Sequence, residues 1–79
     1  MNFQDFLDKI TEQFLEEDQP HVTGEIEFRT LSTWDSLTGM AILTIIEDDY
    51  GVSIPVEDFK NLKTIEEIFS YVSNNTDDK

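Results

Sequence analysis

The feature that most constrains the fold is one long helical pattern in the middle of the chain. Between Leu37 and Tyr50, apolar residues recur at helical spacing for about four turns. Asp35 stands just before this pattern, where its side chain can accept hydrogen bonds from the free amides of the first turn. Gly51 follows the pattern, at the position where glycine commonly ends a helix. The sequence therefore predicts a long, capped second helix.

Ser36 lies at the N-terminal end of this predicted helix, beside an acid. Free amides and the helix dipole make such an end a favourable place for a phosphate group. The sequence offers no base that would activate the hydroxyl as a nucleophile. We therefore expect Ser36 to carry a phosphate-linked group rather than to act in catalysis.

A first helix and a long loop precede the second helix. A first helix is predicted over roughly residues 2 to 16, and its apolar stripe consists of Phe3, Phe6, Leu7, Ile10 and Phe14. Residues Glu16 to Trp34 contain Pro20 and Gly24 and predict an ordered loop. This loop has four apolar anchors, which are Val22, Ile26, Phe28 and Leu31. His21, the single histidine, is expected to be a solvated loop residue.

The C-terminal part predicts a short third helix and a longer fourth one. Pro55 suits the first turn of the third helix, with Val56 and Phe59 turned inward. Residues Thr64 to Glu67 form a capping box that opens the fourth helix. The apolar stripe of that helix consists of Ile65, Ile68, Phe69 and Val72.

The second helix has two different faces. The face expected to lie against the core carries Ile42, Leu43, Ile46 and Tyr50. A neighbouring stripe consists of Ser36, Met40, Thr44 and Glu47, with Leu37 beside it.

The Asp35-Ser36-Leu37 motif, together with the helix order, resembles an acyl carrier protein. The resemblance implies an all-α fold, a small four-helix bundle with a long ordered loop between helices 1 and 2 and a short third helix. It implies that Ser36 carries 4′-phosphopantetheine, whose thiol holds acyl groups as thioesters, and that Asp35 helps to present the serine to a phosphopantetheinyl transferase. It also makes Leu37, Met40, Thr44 and Glu47 candidate contacts for acyl-loading and acyl-processing enzymes of fatty-acid or polyketide type.

The second helix departs from the pattern of fatty-acid carriers, which usually place acids in the two turns after the serine. Here those turns read Leu37-Thr38-Gly39-Met40-Ala41-Ile42, and Trp34 is bulkier than the usual residue before the aspartate. Gly39 costs the helix about 1 kcal/mol relative to alanine, so it indicates either a close approach by a partner or simple tolerance. We expect a carrier for a specialised pathway, with a small core that shelters at most a modest acyl chain.

Length and composition set further limits. Seventy-nine residues indicate one domain over 1–79, with an ordered core of about 2–72 and a polar tail over 73–79, and the resemblance implies that it is a carrier domain. The chain has no cysteine, so neither a disulfide nor a thiolate metal site is possible. Eighteen acids against five bases give a net charge of −13, which excludes nucleic-acid binding and favours partners with basic patches. We expect a monomeric, cytoplasmic protein that does not enter the membrane.

Other functions remain open at this stage. One alternative is a peptidyl or aminoacyl carrier, although the residues before Ser36 do not match that family's usual pattern. Another is an acidic helical interaction module that is never modified. An enzyme is not expected, because no nucleophile–base pair or metal-ligand set can be assembled. The acidic stretch Glu47 to Gly51 lacks the alternating ligands of a calcium loop.

Overall fold

The computed structural model describes residues 2–76 as a bundle of α-helices. The helices are α1 (Phe3–Thr11), α2 (Ser36–Tyr50), α3 (Val56–Phe59) and α4 (Ile65–Asn75). Between residues 2 and 76 there is no strand, and the loop meets the start of α4 through one isolated bridge between Glu27 and Thr64. The predicted all-α class, with four helices and a short third one, is confirmed.

Helix α2 begins and ends where its sequence predicts. Asp35 is the N-cap residue, and its side chain accepts a hydrogen bond from the Thr38 amide. Gly51 has a φ of 70°, a left-handed conformation that glycine adopts without a steric penalty. The Gly51 amide donates to the Glu47 carbonyl and so completes the last turn.

Helix α4 opens with the predicted capping box. The Glu67 amide donates to the Thr64 hydroxyl, and the Glu67 carboxylate accepts from the Thr64 amide. The helix continues through Asn75, so residues 73–75 of the expected polar tail are helical. Residues 77–79 of that tail lie outside the described residues.

Helix α1 is shorter than the predicted range of 2 to 16, because it ends at Thr11. Beyond Glu12 the amides of Gln13 and Phe14 bond to carbonyls three residues back instead of four. Such tighter turns are common at helix ends. They carry Phe14 into the core, where only 3% of it is exposed.

The core is formed by apolar side chains from all four helices and from the segments between them. Its buried members are Phe6, Ile10, Phe14, Val22, Phe28, Ile42, Ile46, Val52, Ile54, Phe59, Ile65, Ile68 and Val72. Thus Ile42 and Ile46 of α2 occupy the predicted positions, while Leu43 and Tyr50 are partly buried against the core. Each loop anchor expected from the sequence is buried or packs against the core.

Helix α3 corrects one expectation. Phe59 is buried as predicted, but Val56 is 62% exposed. A helix of four residues has a single turn, and here that turn places Phe59 on the core and Val56 on the surface. None of the helices within residues 2–76 combines the length and apolar character that a membrane crossing requires.

Candidate functional site

The N-terminus of α2 presents Ser36 at the surface. The Asp35 carboxylate accepts from the Thr38 amide at 2.9 Å and from the Thr38 hydroxyl at 3.2 Å. The Asp35 carbonyl accepts from the Gly39 amide at 3.2 Å. Ser36 is exposed, and in the described part of the chain its amide and that of Leu37 have no hydrogen-bond acceptor. Two free amides therefore remain at the positive end of the helix dipole.

A buried carboxylate holds the segment that leads into this site. Asp18 is 3% exposed, and among residues 2–76 it is the charged side chain that is buried. Its Oδ1 accepts from the Ser32 hydroxyl at 3.0 Å, and its Oδ2 accepts from the Thr33 amide at 2.8 Å and from the Thr33 hydroxyl. The bond from the Thr33 hydroxyl is the main reason why the pKa of Asp18 lies below its ordinary value. Asp18 thereby fixes the two residues that precede Trp34.

Trp34 packs tightly behind the helix start. Its ring lies 5.2 Å from that of Phe28 and 6.1 Å from that of Phe14, measured between centroids. A Cβ added at Gly39 would lie 3.1 Å from the indole Cη2 and 3.7 Å from the Phe59 ring. The absence of a side chain at Gly39 is therefore explained by the packing of Trp34, and no partner is needed to account for it.

Arg29 connects the loop to α3. Its guanidinium donates to the carbonyl of Phe59, the last residue of α3, at 2.8 Å, and to the Leu62 carbonyl just beyond that helix at 2.7 Å. The same group lies 4.7 Å from the centroid of the Phe28 ring and 5.8 Å from that of Trp34. In this position the cation donates hydrogen bonds to carbonyls that a helix end leaves unpaired. It also stacks on the faces of the aromatic rings.

An apolar groove of about 280 Å³ runs beside Ser36, between α2 and α3. We call it the serine groove. It is lined by Arg29, Trp34, Ser36, Gly39, Met40, Leu43, Val56, Phe59 and Lys60. Ser36, Met40, Val56 and Lys60 are exposed, so these residues form its rim, while Gly39 and Phe59 are buried. The groove thus joins the serine to the edge of the core.

The four candidate contact residues on or beside α2 are all exposed. Leu37 is 73% exposed and Met40 is 63% exposed. Met40 shares the serine groove with Ser36, whereas Thr44 and Glu47 line a second groove of about 230 Å³. Glu47 accepts from the Ser53 hydroxyl at 2.6 Å. The predicted contact residues are therefore all at the surface, in or beside two neighbouring grooves that both border α2.

The sequence did not predict that Asp18 and Arg29 support the site through long-range hydrogen bonds. Asp18 bonds to residues 14 and 15 positions away, and Arg29 bonds to residues 30 and 33 positions away. Hydrophobic spacing carries no signal for such pairs. His21 is exposed in a short 3-10 turn, and among residues 2–76 no three potential metal-ligating side chains come together.

Comparison with known proteins identifies the family. A family model described as a phosphopantetheine attachment site matches residues 5–72. The acyl carrier protein of Thermosynechococcus vestitus is 30% identical over 77 residues, which cover 94% of this chain and 95% of that protein. The acyl carrier protein of Rubrobacter xylanophilus is 33% identical over 66 residues, covering 84% of this chain and 82% of that protein. A third relative, the acyl carrier protein of Myxococcus xanthus, is 36% identical over 55 residues, or 70% of each chain.

These matches agree with a four-helix fold that exposes a serine at the start of its longest helix. The family's domain is the site of covalent 4′-phosphopantetheine attachment, and its members are carriers rather than enzymes. The chain belongs to the acyl carrier protein family.

Proposed function

We propose that Ser36 is the attachment residue and that this protein carries acyl intermediates on the 4′-phosphopantetheine arm. The observation that carries the proposal is an exposed serine at the capped N-terminus of the 15-residue helix α2. The free amides of Ser36 and Leu37 and the helix dipole suit a phosphodiester at this position. Once attached, the arm supplies a thiol that holds the acyl group as a thioester.

Asp35 and Asp18 serve as positioning residues in this proposal. Asp35 fixes the first turn of α2 through the Thr38 amide, so the backbone of Ser36 keeps one position relative to the helix axis. Asp18 fixes Ser32 and Thr33, which sets the direction from which the chain enters the helix. The phosphopantetheinyl transferase would then meet a serine on a rigid element.

The contact surface for partner enzymes consists of Leu37, Met40, Thr44 and Glu47. Leu37 and Met40 are large apolar side chains that are mostly exposed, and such exposure is typical of residues that contact partners. The negative charge of the whole chain favours transferases and acyl-processing enzymes with basic patches.

The pathway we propose is a specialised one. The two turns after Ser36 contain no acid, so basic patches that recognise fatty-acid carriers would meet Thr38, Gly39 and Met40 instead of carboxylates. Each missing exposed ion pair costs about 0.2–1 kcal/mol of docking energy. The cytoplasmic location expected from the sequence stays a prediction.

Intact mass tests the proposed function. Incubation of the purified protein with coenzyme A and a promiscuous phosphopantetheinyl transferase should add one arm to the wild type and none to Ser36→Ala. Ser73→Ala is the matched control, because Ser73 is an exposed serine on α4 far along the chain from the site. Modification of Ser36→Ala, or failure of the wild type where a known carrier is modified, would contradict the proposal.

A further inference from the structure

The serine groove ends at an aromatic wall. Trp34 and Phe59 line its inner side, and Phe28 lies behind both, with ring centroids 5.2 Å from Trp34 and 5.8 Å from Phe59. Phe28 itself is fully buried. Any group that enters the groove from Ser36 therefore meets the indole before it reaches the core.

Trp34 has little freedom to move out of the way. The helix backbone at Gly39 is close enough that an added Cβ would stand 3.1 Å from the indole, and Phe14 and Phe28 pack against the ring from the core side. The Arg29 guanidinium lies 5.8 Å from the Trp34 centroid and is fixed by two carbonyls. Close-packed interiors of this kind resist displacement of a large side chain.

We propose that Trp34 is a specificity-determining residue, which limits the protein to sheltering a short acyl group in the serine groove. The occupant is the acyl group on the protein's own arm, so this inference rests on the function proposed above. Because the arm is joined at Ser36 on the rim, the groove meets the attached group at a high effective concentration. The indole stops a longer chain from going deeper, so the part that the groove cannot hold stays in solvent.

The size and lining of the groove agree with such an occupant. Its volume of about 280 Å³ is below the range of roughly 300–1,000 Å³ that is usual for ligand pockets. The side chains that project into it from α2 and α3 include Met40, Leu43 and Val56, which are apolar. An unbranched acyl group gains from such a surface with each methylene that it buries, until the wall is reached.

The rate at which a small nucleophile cleaves the thioester measures directly how well the serine groove shelters the acyl group. The transferase would load acetyl-, butyryl-, hexanoyl- and octanoyl-phosphopantetheine from the corresponding acyl-coenzyme A, and intact mass would confirm each product. Hydroxylamine cleavage rates would then be compared with those of the free acyl-coenzyme A. For the wild type, protection should rise with the first additions of carbon and stop rising before octanoyl. In Trp34→Ala, protection should continue to rise through octanoyl, by up to about fourfold for each further methylene buried.

Two variants make the result specific. Phe69→Ala is the matched control, because Phe69 is a partly buried aromatic residue that packs on Phe3 and Phe6 and does not line the groove. It should keep the wild-type dependence on chain length. Val56→Trp should fill the groove from its exposed rim and remove the protection of every acyl group, which tests the groove even where Trp34→Ala does not fold.

The outcomes separate the two proposals. Failure of the transferase to load the wild type contradicts the proposed function itself. Successful loading with no protection at any chain length, or with the same dependence on chain length in the wild type and Trp34→Ala, overturns the inference about Trp34 and leaves the carrier function standing.

Discussion

At the scale of single residues, Asp18 shows how a carboxylate far along the chain supports the serine site. Its two oxygens accept three hydrogen bonds from Ser32 and Thr33, and the residue is almost fully buried. The bonds favour the charged form, chiefly the one from the Thr33 hydroxyl, and hold the pKa of Asp18 below its ordinary value. Because the folded-state pKa is the lower one, the stabilisation is present above the unfolded-state pKa and is lost as the pH falls through the folded one.

We expect Asp18→Asn to lower the melting temperature by several degrees near neutral pH, because an amide nitrogen cannot accept from the donors of Thr33. The difference from the wild type should shrink as the pH falls below the ordinary aspartate pKa of about 4, because the unfolded chain takes up a proton at Asp18 there, whereas the folded protein takes it up only at a lower pH. Thermal unfolding followed by circular dichroism between acidic and neutral pH measures both effects.

The control for this prediction is Glu17→Gln, which removes one negative charge from an exposed residue next to Asp18. It should leave the melting temperature close to that of the wild type at each pH. If the two variants behave alike, Asp18 contributes only its charge, and its role in fixing the entry to α2 is wrong.

At the scale of the helix, α2 combines a buried face with an exposed stripe that contains no acid in its first two turns. Thr38 is a poor place to add one, because its amide and hydroxyl both donate to Asp35. Met40 and Thr44 are exposed and lie on the stripe four residues apart. They are therefore the positions at which new carboxylates would meet a basic patch without disturbing the cap.

We expect Met40→Glu with Thr44→Glu to improve acyl transfer by a fatty-acid enzyme by about two- to thirtyfold, since each of the two exposed ion pairs contributes a few tenths to about 1 kcal/mol. The measurement compares the modified wild type and the modified double variant as substrates of one enzyme. Ser73→Glu with Asn74→Glu adds the same charge on the exposed part of α4 and should change little. A wild type that already matches a general fatty-acid carrier would contradict the specialised pathway.

The sequence predicted the helices well where periodicity and capping residues agree. Helix α2 begins after Asp35 and ends before Gly51, and α4 begins after Thr64, as predicted. Apolar periodicity and capping both depend on residues only a few positions apart, so the sequence alone shows them. The end of α1 and the exposure of Val56 were predicted wrongly, since both depend on how the elements pack together. The sequence also could not show why residue 39 is a glycine, because the reason is the close packing of the Trp34 ring against the helix backbone at that position.

At the scale of the whole molecule, charge opposes compaction. The chain carries a net charge of −13, and within residues 2–76 the structure shows one ion pair, Lys9 with Asp49 at 3.2 Å. The bond to Asp49 is the main reason why the pKa of Lys9 is raised. Most acids in this described part of the chain are exposed and lack a cation within 4 Å, so repulsion among them destabilises the folded state.

We therefore expect the melting temperature to rise with salt between about 10 mM and about 0.15 M, as the Debye length falls from roughly 30 Å to roughly 8 Å. Magnesium chloride at equal ionic strength should stabilise the protein at least as well as sodium chloride. Differential scanning calorimetry at constant pH measures the change. A flat or falling curve would mean that the acids are compensated locally.

The central claim is that Ser36 is the residue that carries the arm, and peptide mapping of the modified protein tests it most directly. Trypsin cleavage after Arg29 and Lys60 releases residues 30–60 as one peptide, which contains Ser36 together with Ser32, Thr33 and Ser53. Fragmentation of this peptide in a mass spectrometer should place a single phosphopantetheine on Ser36. An arm on Ser32, Thr33 or Ser53, or an unmodified peptide under conditions that modify a known carrier, would contradict the claim.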